Sequence, residues 1–507
     1  MTEFRLSAAR PGSGIRSTLT NARIVGSNGE PVDIELEDAQ IAAIRPANAT
    51  GPTGERTNLD GRWVLPGLWD HHVHFTQVAL ASRRLDLTTS TSAASVVSLV
   101  DGYVSAVGSN LPAGETLVGT GFRDAMWPDP PNLDEFDRAA QGRSVVLIGA
   151  DLHCVWLNRA ALIRFGHAGH PTGMLREEDA FAVSKALRAD DIAVDEWARD
   201  AADAAAARGV VGIVDFEMAW NLEVWKRRAL SGGTALRVRF GIYPADLDRA
   251  LAERLSTGQI VPHTHGLVEV GSLKVITDGS LNTRSAYCDD DYEGLSGRPD
   301  AHGVLTVPQD ELIDLMRRAR AGGLHSAIHA IGDRANALAL DAFAATGATG
   351  SIEHAQLLRD ADVARFAALG VTASVQPEHA MDDRDAAERL WPGRTRRAFV
   401  LRSLLDAGAT LALGSDAPVA PLDPWIAMSA AVGRSRQNRA PWHPEQSITV
   451  SEALAATTRT PNDRVATGHR ADLAIVDANP LSSTADELRR MPVAATLLNG
   501  RFTHSAL

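Results

Sequence analysis

The chain opens on short runs in which apolar and polar positions alternate. Residues 18–26 (TLTNARIVG), 32–38 (VDIELED) and 40–46 (QIAAIRP) share this period of two, with a turn at SNGEP between the first two. Alternation bounded by turn residues predicts strands. The other end of the chain has the same texture, at residues 471–480 (ADLAIVDANP) and 492–504 (PVAATLLNGRFTH). Chain termini commonly lie close together. The two ends therefore predict one composite β-sandwich, over residues 1–61 and 465–507.

The middle alternates apolar runs with helical patterns. Strand candidates are residues 62–75, 209–216, 236–244, 267–279, 324–333, 350–356, 370–377 and 409–418, and helices are expected at 308–323 and 360–370. Strand–helix alternation predicts a parallel sheet. Eight such strands predict an α/β fold, a (β/α)8 TIM barrel of about 250 residues. It is placed at residues 62–80 and 205–464. The gap between the first two strands, residues 76–208, is far longer than a normal strand-to-helix connection. It carries apolar segments of its own (ETLVGTGF, RSVVLIGADLHCVWLNRAALIRFG), so residues 81–204 predict an inserted α/β subdomain over the barrel mouth.

Composition narrows the function. The chain has 507 residues, 45% hydrophobic and 22% charged, with a formal net charge of −13. A nucleic-acid binder should show a basic field, and none is present. Cys154 and Cys288 make no disulfide framework, which fits a reducing compartment. The N-terminal stretch MTEFRLSAARPGSGIRS has no apolar core of a signal peptide, and no apolar run approaches the roughly 20 residues of a membrane span. The expectation is a cytoplasmic protein acting on a small molecule, with no nucleic-acid or membrane partner and compatible with a homodimer.

Metal-binding residue types gather at the predicted strand ends. His72 and His74 end the first strand, Lys274 lies in the fourth, and His329, His354 and Asp416 end the fifth, sixth and eighth. Side chains alternate along a strand, so His72 and His74 share a face and His71 points away, towards packing. A lone strand-end histidine is more often a hydrogen-bonded core residue than a ligand. Lys274 is expensive to bury among apolar neighbours without a reason. Asp416 after Gly-Ser alone would fit a turn. In a barrel, however, strand C-termini converge on one face. The joint pattern therefore predicts a site for a zinc-like divalent ion.

The motifs PGLWDHHVHF, LKVITDGS, IHAIGDRA, IEHAQ, SVQPEH and LGSDAPV…LDP resemble those of the amidohydrolase superfamily of metal-dependent hydrolases. Within it the chain is similar to the YtcJ-like branch, which includes N-substituted formamide deformylases. The resemblance implies the same barrel, terminal β-sandwich and insert. It also implies that His72, His74 and Asp416 hold the more buried ion, His329 and His354 a second, and that a CO2-carboxylated Lys274 bridges both; an uncarboxylated lysine would leave one ion. Two departures are visible: the hairpin ELEDAQIAAI lacks the glycine turn usual in relatives, and His71 replaces a small residue.

The expected reaction is hydrolysis of an amide-like C–N bond, N-formyl, N-acyl or cyclic, by metal-activated hydroxide, with Asp416 as general base and acid. The same barrel also serves decarboxylases, lyases and isomerases. A non-catalytic scaffold would be expected to lose ligands, and here every position is filled. Candidate substrate contacts are Arg284, Gln376 and His379 after the barrel strands, His153, Trp156 and Asn158 in DLHCVWLNRAAL, and Trp127 in AMWPDPPNLDEF. For Arg284 the competing role is an ion pair with the DDDYE carboxylates, and for Trp156 it is the insert's own core.

Overall fold

A computed structural model describes residues 16–47, 54–107, 115–187, 190–231 and 235–507. The segment read for a signal peptide lies largely outside the described residues. The architecture is a parallel barrel beside a sheet made from both chain ends, with a third sheet inserted after the first barrel strand.

The barrel strands are β1 (Leu68–Val73), β2 (Val210–Asp215), β3 (Arg237–Ile242), β4 (Val268–Ile276), β5 (Ser326–Ala330), β6 (Gly350–His354), β7 (Thr372–Val375) and β8 (Leu411–Leu413). They pair in sequence order, all parallel. Closure falls just past β8. The Asp416 amide donates to the His72 carbonyl at 2.7 Å and the His74 amide to the Ala417 carbonyl at 2.8 Å. Gly414 allows this approach, since a Cβ there would lie 2.7 Å from the His72 nitrogen. The runs are buried nearly throughout, as expected of strands covered on both faces. Helices such as Gln309–Ala321 and Asp360–Leu369 pack outside.

The stretch 62–75 reads as one strand but folds as two. Trp63–Pro66 pairs with Leu473–Val476 in the terminal sheet, and only Leu68–Val73 enters the barrel. The switch is abrupt: the Gly67 amide donates to Asp472 in the terminal sheet, and the next amide, of Leu68, donates to Gly209 in the barrel. A continuous apolar run carries no mark of which sheet each half joins. In the terminal sheet, the strands Val32–Glu37 and Gln40–Pro46 turn through Asp38 and Ala39, both at positive φ (48° and 68°). Non-glycine residues therefore occupy the left-handed positions of this turn.

The inserted sheet runs in the order Met174–Arg176, Cys154–Leu157, Val145–Gly149, Leu117–Phe122, Leu85–Asp86. Apolar side chains line both of its faces, with Phe136 and Trp156 buried on one and Leu157 and Leu162 on the other.

Candidate metal centre and active-site cavity

One cavity at the C-terminal end of the barrel is lined by His72, His74, Lys274, His329, His354 and Asp416. His153 and Arg123 from the insert and His379 after β7 line it too. Arg284, Gln376, Trp127, Trp156 and Asn158 do not.

Asp416 sits at the centre. Its Oδ1 lies 3.5 Å from His72 Nε2 and 3.3 Å from His74 Nε2, and its Oδ2 lies 4.0 Å from His379 Nε2. Two sets of donor atoms lie within 4.8 Å of one another, His72–His74–Asp416 and His354–His379–Asp416, and Asp416 belongs to both. Tetrahedral ligands at 2.0–2.1 Å from an ion are about 3.3 Å apart, close to the distances of His72 and His74 from Asp416. His74 Nδ1, His354 Nδ1 and His379 Nε2 are buried without a hydrogen-bond partner among the described residues. Buried polar atoms are ordinarily satisfied. All three rings surround Asp416, and the unpaired His379 Nε2 stands 4.0 Å from Asp416 Oδ2, where its lone pair fits a cation. His354 and Asp416 also adopt positive φ (71° and 57°), and backbone strain of this kind clusters at functional sites.

Carboxylates behind the ring orient it. His72 Nδ1 donates to Glu353 Oε2 at 2.7 Å, with both side chains fully buried. His329 Nε2 lies 3.4 Å from Asp278 Oδ1. Asp278 is itself fixed by the amides of Tyr287, Ile331 and Gly332. Such partners set tautomer and ring direction in metal sites.

Burial dominates the electrostatics. It pushes the His72 and His354 imidazoles well below their ordinary range, aided at His72 by Lys274 and at His354 by His329. Burial lowers the Lys274 ammonium to about 8, against the opposing pull of Glu353 and Asp416. Lys274 Nζ lies 3.5 Å from His72 Nε2 and over the Phe216 ring. Burial alone would raise the Asp416 carboxyl, but His72, His74 and His354 outweigh it and hold the group well below the carboxylate range. Burial would likewise lower His153, yet its bond to Glu177 raises it to about 9.

The remaining sequence candidates sit elsewhere. Trp156 is fully buried in the insert, packs on Phe136 and donates to the Thr172 carbonyl. Asn158 caps the helix Arg159–Arg164 and bridges to Val145 and Arg143. Trp127 packs on Phe122 and Trp156. Gln376 makes a long bond to the Ser374 carbonyl, and Arg284 has a positive φ of 58° on its loop. His71 donates towards the Thr458 carbonyl, away from the cavity. Sequence reasoning passed over Glu353, Asp278, Glu177 and Arg123. The cost of burying a charge, which singled out Lys274, applies equally to Glu353, but its strand, GSIEH, has too few apolar neighbours to signal that burial in sequence.

Imidazoles, a lysine and a carboxylate around one cavity at the strand ends of a closed (β/α)8 barrel define the architecture of a metal-dependent hydrolase. The chain belongs to the amidohydrolase family, whose signature matches residues 55–504. It is 26% identical over 496 residues to the YtcJ protein of Bacillus subtilis (strain 168), covering 89% of this chain and 91% of that one. It is also 26% identical over 499 residues to the N-substituted formamide deformylase of Arthrobacter pascens, covering 89% and 90%. In structure it is similar to a metal-dependent hydrolase of Pyrococcus horikoshii OT3, with a TM-score of 0.75, 23% identity, and 93% and 99% of the two chains covered. No helix among the described residues is long and apolar enough to cross a membrane.

Proposed function

We propose that this protein hydrolyses a C–N bond in a small amide-like substrate, of the N-formyl, N-acyl or cyclic amide class, with a zinc-type divalent ion. The observation that carries this reading is the place of Asp416, common to both clusters of donor atoms and open to the cavity. Similarity to a formamide deformylase supports the bond type.

His72, His74 and Asp416 would hold the ion, with Lys274, His329 and His354 offering a second position. When bound, the ion supplies a water that ionises near neutral pH and a Lewis acid for the scissile carbonyl. Asp416, kept ionised by the surrounding imidazoles, accepts the proton of the attacking water on a carboxylate oxygen. It then delivers that proton to the departing nitrogen, as one positioned base and acid. Glu353 keeps the His72 Nδ1–H bound, so that Nε2 faces Asp416. Asp278 performs the equivalent task for His329 through a longer contact. Lys274, depressed to about 8, carries about one-tenth neutral amine at pH 7, the form that takes up CO2.

The test is a panel of N-formyl, N-acyl, ureido and cyclic amides assayed with metal-loaded protein. Chelator-sensitive hydrolysis of the C–N bond, followed as substrate loss and product formation, is expected for at least one class. Fully loaded, folded protein that hydrolyses none of them contradicts the reading.

A further inference from the structure

The insert contributes a hydrogen-bonded dyad to the cavity. His153 lies just before the inserted strand Cys154–Leu157, and Glu177 just after the strand Met174–Arg176. His153 Nδ1 donates to Glu177 Oε2 at 2.8 Å. His153 lines the cavity, and with Nδ1 committed, Nε2 is the nitrogen left for a bound molecule. Its ring stands 6.0 Å from that of His329, centroid to centroid.

The dyad is anchored on the barrel side. Glu177 Oε1 accepts the hydroxyls of Ser285 at 2.5 Å and Thr283 at 2.9 Å, both on the loop after β4. Next to it, Ser280 donates to Asp151 Oδ2 at 2.8 Å, and Asp151 Oδ1 accepts the His153 amide at 3.1 Å. Gly279 makes room: a Cβ there would stand 2.0 Å from Ser285 Oγ and 2.8 Å from Glu177 Oε1. Glu177 itself holds a positive φ of 49°, a costly conformation for a glutamate. A carboxylate holding three donors, one of them an imidazole, has a fixed direction and so fixes the ring.

We propose that His153 Nε2 binds an oxygen of the substrate's acyl group across the cavity from Asp416, and that Glu177 is the positioning residue that aims it. The inference rests on the amidohydrolase reading above and assigns to it the group that grips the acyl side. The substrate class it selects is an amide with a small acyl group whose oxygen reaches the insert.

The experiment uses the full chain loaded with cobalt(II), whose visible spectrum reports on ligands near the ion, with acetate as the acyl-sized probe. His153→Ala and Glu177→Gln should keep wild-type cobalt content. Acetate should bind His153→Ala about 10- to 100-fold more weakly, the range of a hydrogen bond to a charged group. Glu177→Gln should weaken it less, in the same direction. His153→Gln, which restores a side-chain N–H, should recover part of the loss; a purely structural role would show no such recovery. An acetate affinity in cobalt-loaded His153→Ala within twofold of wild type overturns the inference and leaves the hydrolase reading standing. Cobalt loss in His153→Ala equal to that in His72→Ala overturns it by making His153 a ligand. Wild-type protein that takes up no cobalt overturns both.

Discussion

The Asp416 amide donates to the His72 carbonyl across 2.7 Å. With the bond from the His74 amide to the Ala417 carbonyl, it closes the barrel between its last and first strands and brings together the two side chains at the centre of the cavity. Their functional atoms then stand 3.5 Å apart, His72 Nε2 to Asp416 Oδ1. Fold closure and site assembly are the same event, which explains how residues more than three hundred positions apart come to share one cavity.

Asp416→Asn separates metal binding from proton transfer. Asparagine keeps the shape and one oxygen but cannot carry the proton. The variant should retain its fold and a good part of its metal, and lose roughly 10²–10⁴-fold in kcat. Steady-state kinetics with metal content measured on the same sample is the check. A loaded variant near wild-type kcat would move the proton path elsewhere, with His379, 4.0 Å from Asp416, the next group to test.

Lys274 is fully buried, and its Nζ lies 3.5 Å from His72 Nε2. Lys274→Ala should lower metal stoichiometry and remove most activity. If the lysine is carboxylated, short carboxylic acids should restore part of that activity by replacing the lost oxygens. Unchanged stoichiometry would remove Lys274 from the centre.

The architecture was legible because its signals are periodic. Continuous apolar strands, amphipathic helices and an oversized first connection read directly as a barrel with an insert. That His72, His74, Lys274, His329, His354 and Asp416 share one cavity was legible because strand ends converge. The insert was harder. His153, Trp156 and Asn158 stand within a few residues of one another, yet His153 meets the cavity, Trp156 fills a core and Asn158 caps a helix. Asn158 carries a local cap signal, but nothing local distinguishes His153 from Trp156, whose fates depend on which side of a short strand meets the barrel. Glu177 lies 24 residues from its partner His153, with no spacing rule to join them.

The His153–Glu177 pair gives a pH signature in stability. His153 is raised from 6.5 to about 9, so its contribution is whole below 6.5 and is lost as pH rises through about 9. Glu177 is lowered from 4.5 to about 2, so its contribution is whole above 4.5 and is lost as pH falls through about 2. Between 4.5 and 6.5 both are intact. Glu177→Gln should therefore cost most stability in that window, and its gap to wild type should narrow above about pH 9. Urea unfolding of metal-free protein at a series of pH values measures this. A gap that stays constant across the range would contradict the assignment.

Ala39 offers a prediction away from the site. It holds a φ of 68° in the turn after Val32–Glu37. The left-handed region costs a non-glycine residue roughly 1–2 kcal/mol. Ala39→Gly should raise unfolding stability by about 1 kcal/mol, or leave it level if added freedom in the unfolded chain offsets the relief. A clear loss of stability would mean that the methyl group packs more than it strains.

Metal content tests the central claim most directly. Protein purified without chelator should carry about one to two equivalents of a divalent transition ion, with zinc the leading candidate. His72→Ala, His74→Ala and Asp416→Ala should each lower that figure, while the barrel, with its own large core, stays folded. Elemental analysis beside circular dichroism on the same samples gives the answer. Folded, active protein without bound metal would contradict the account.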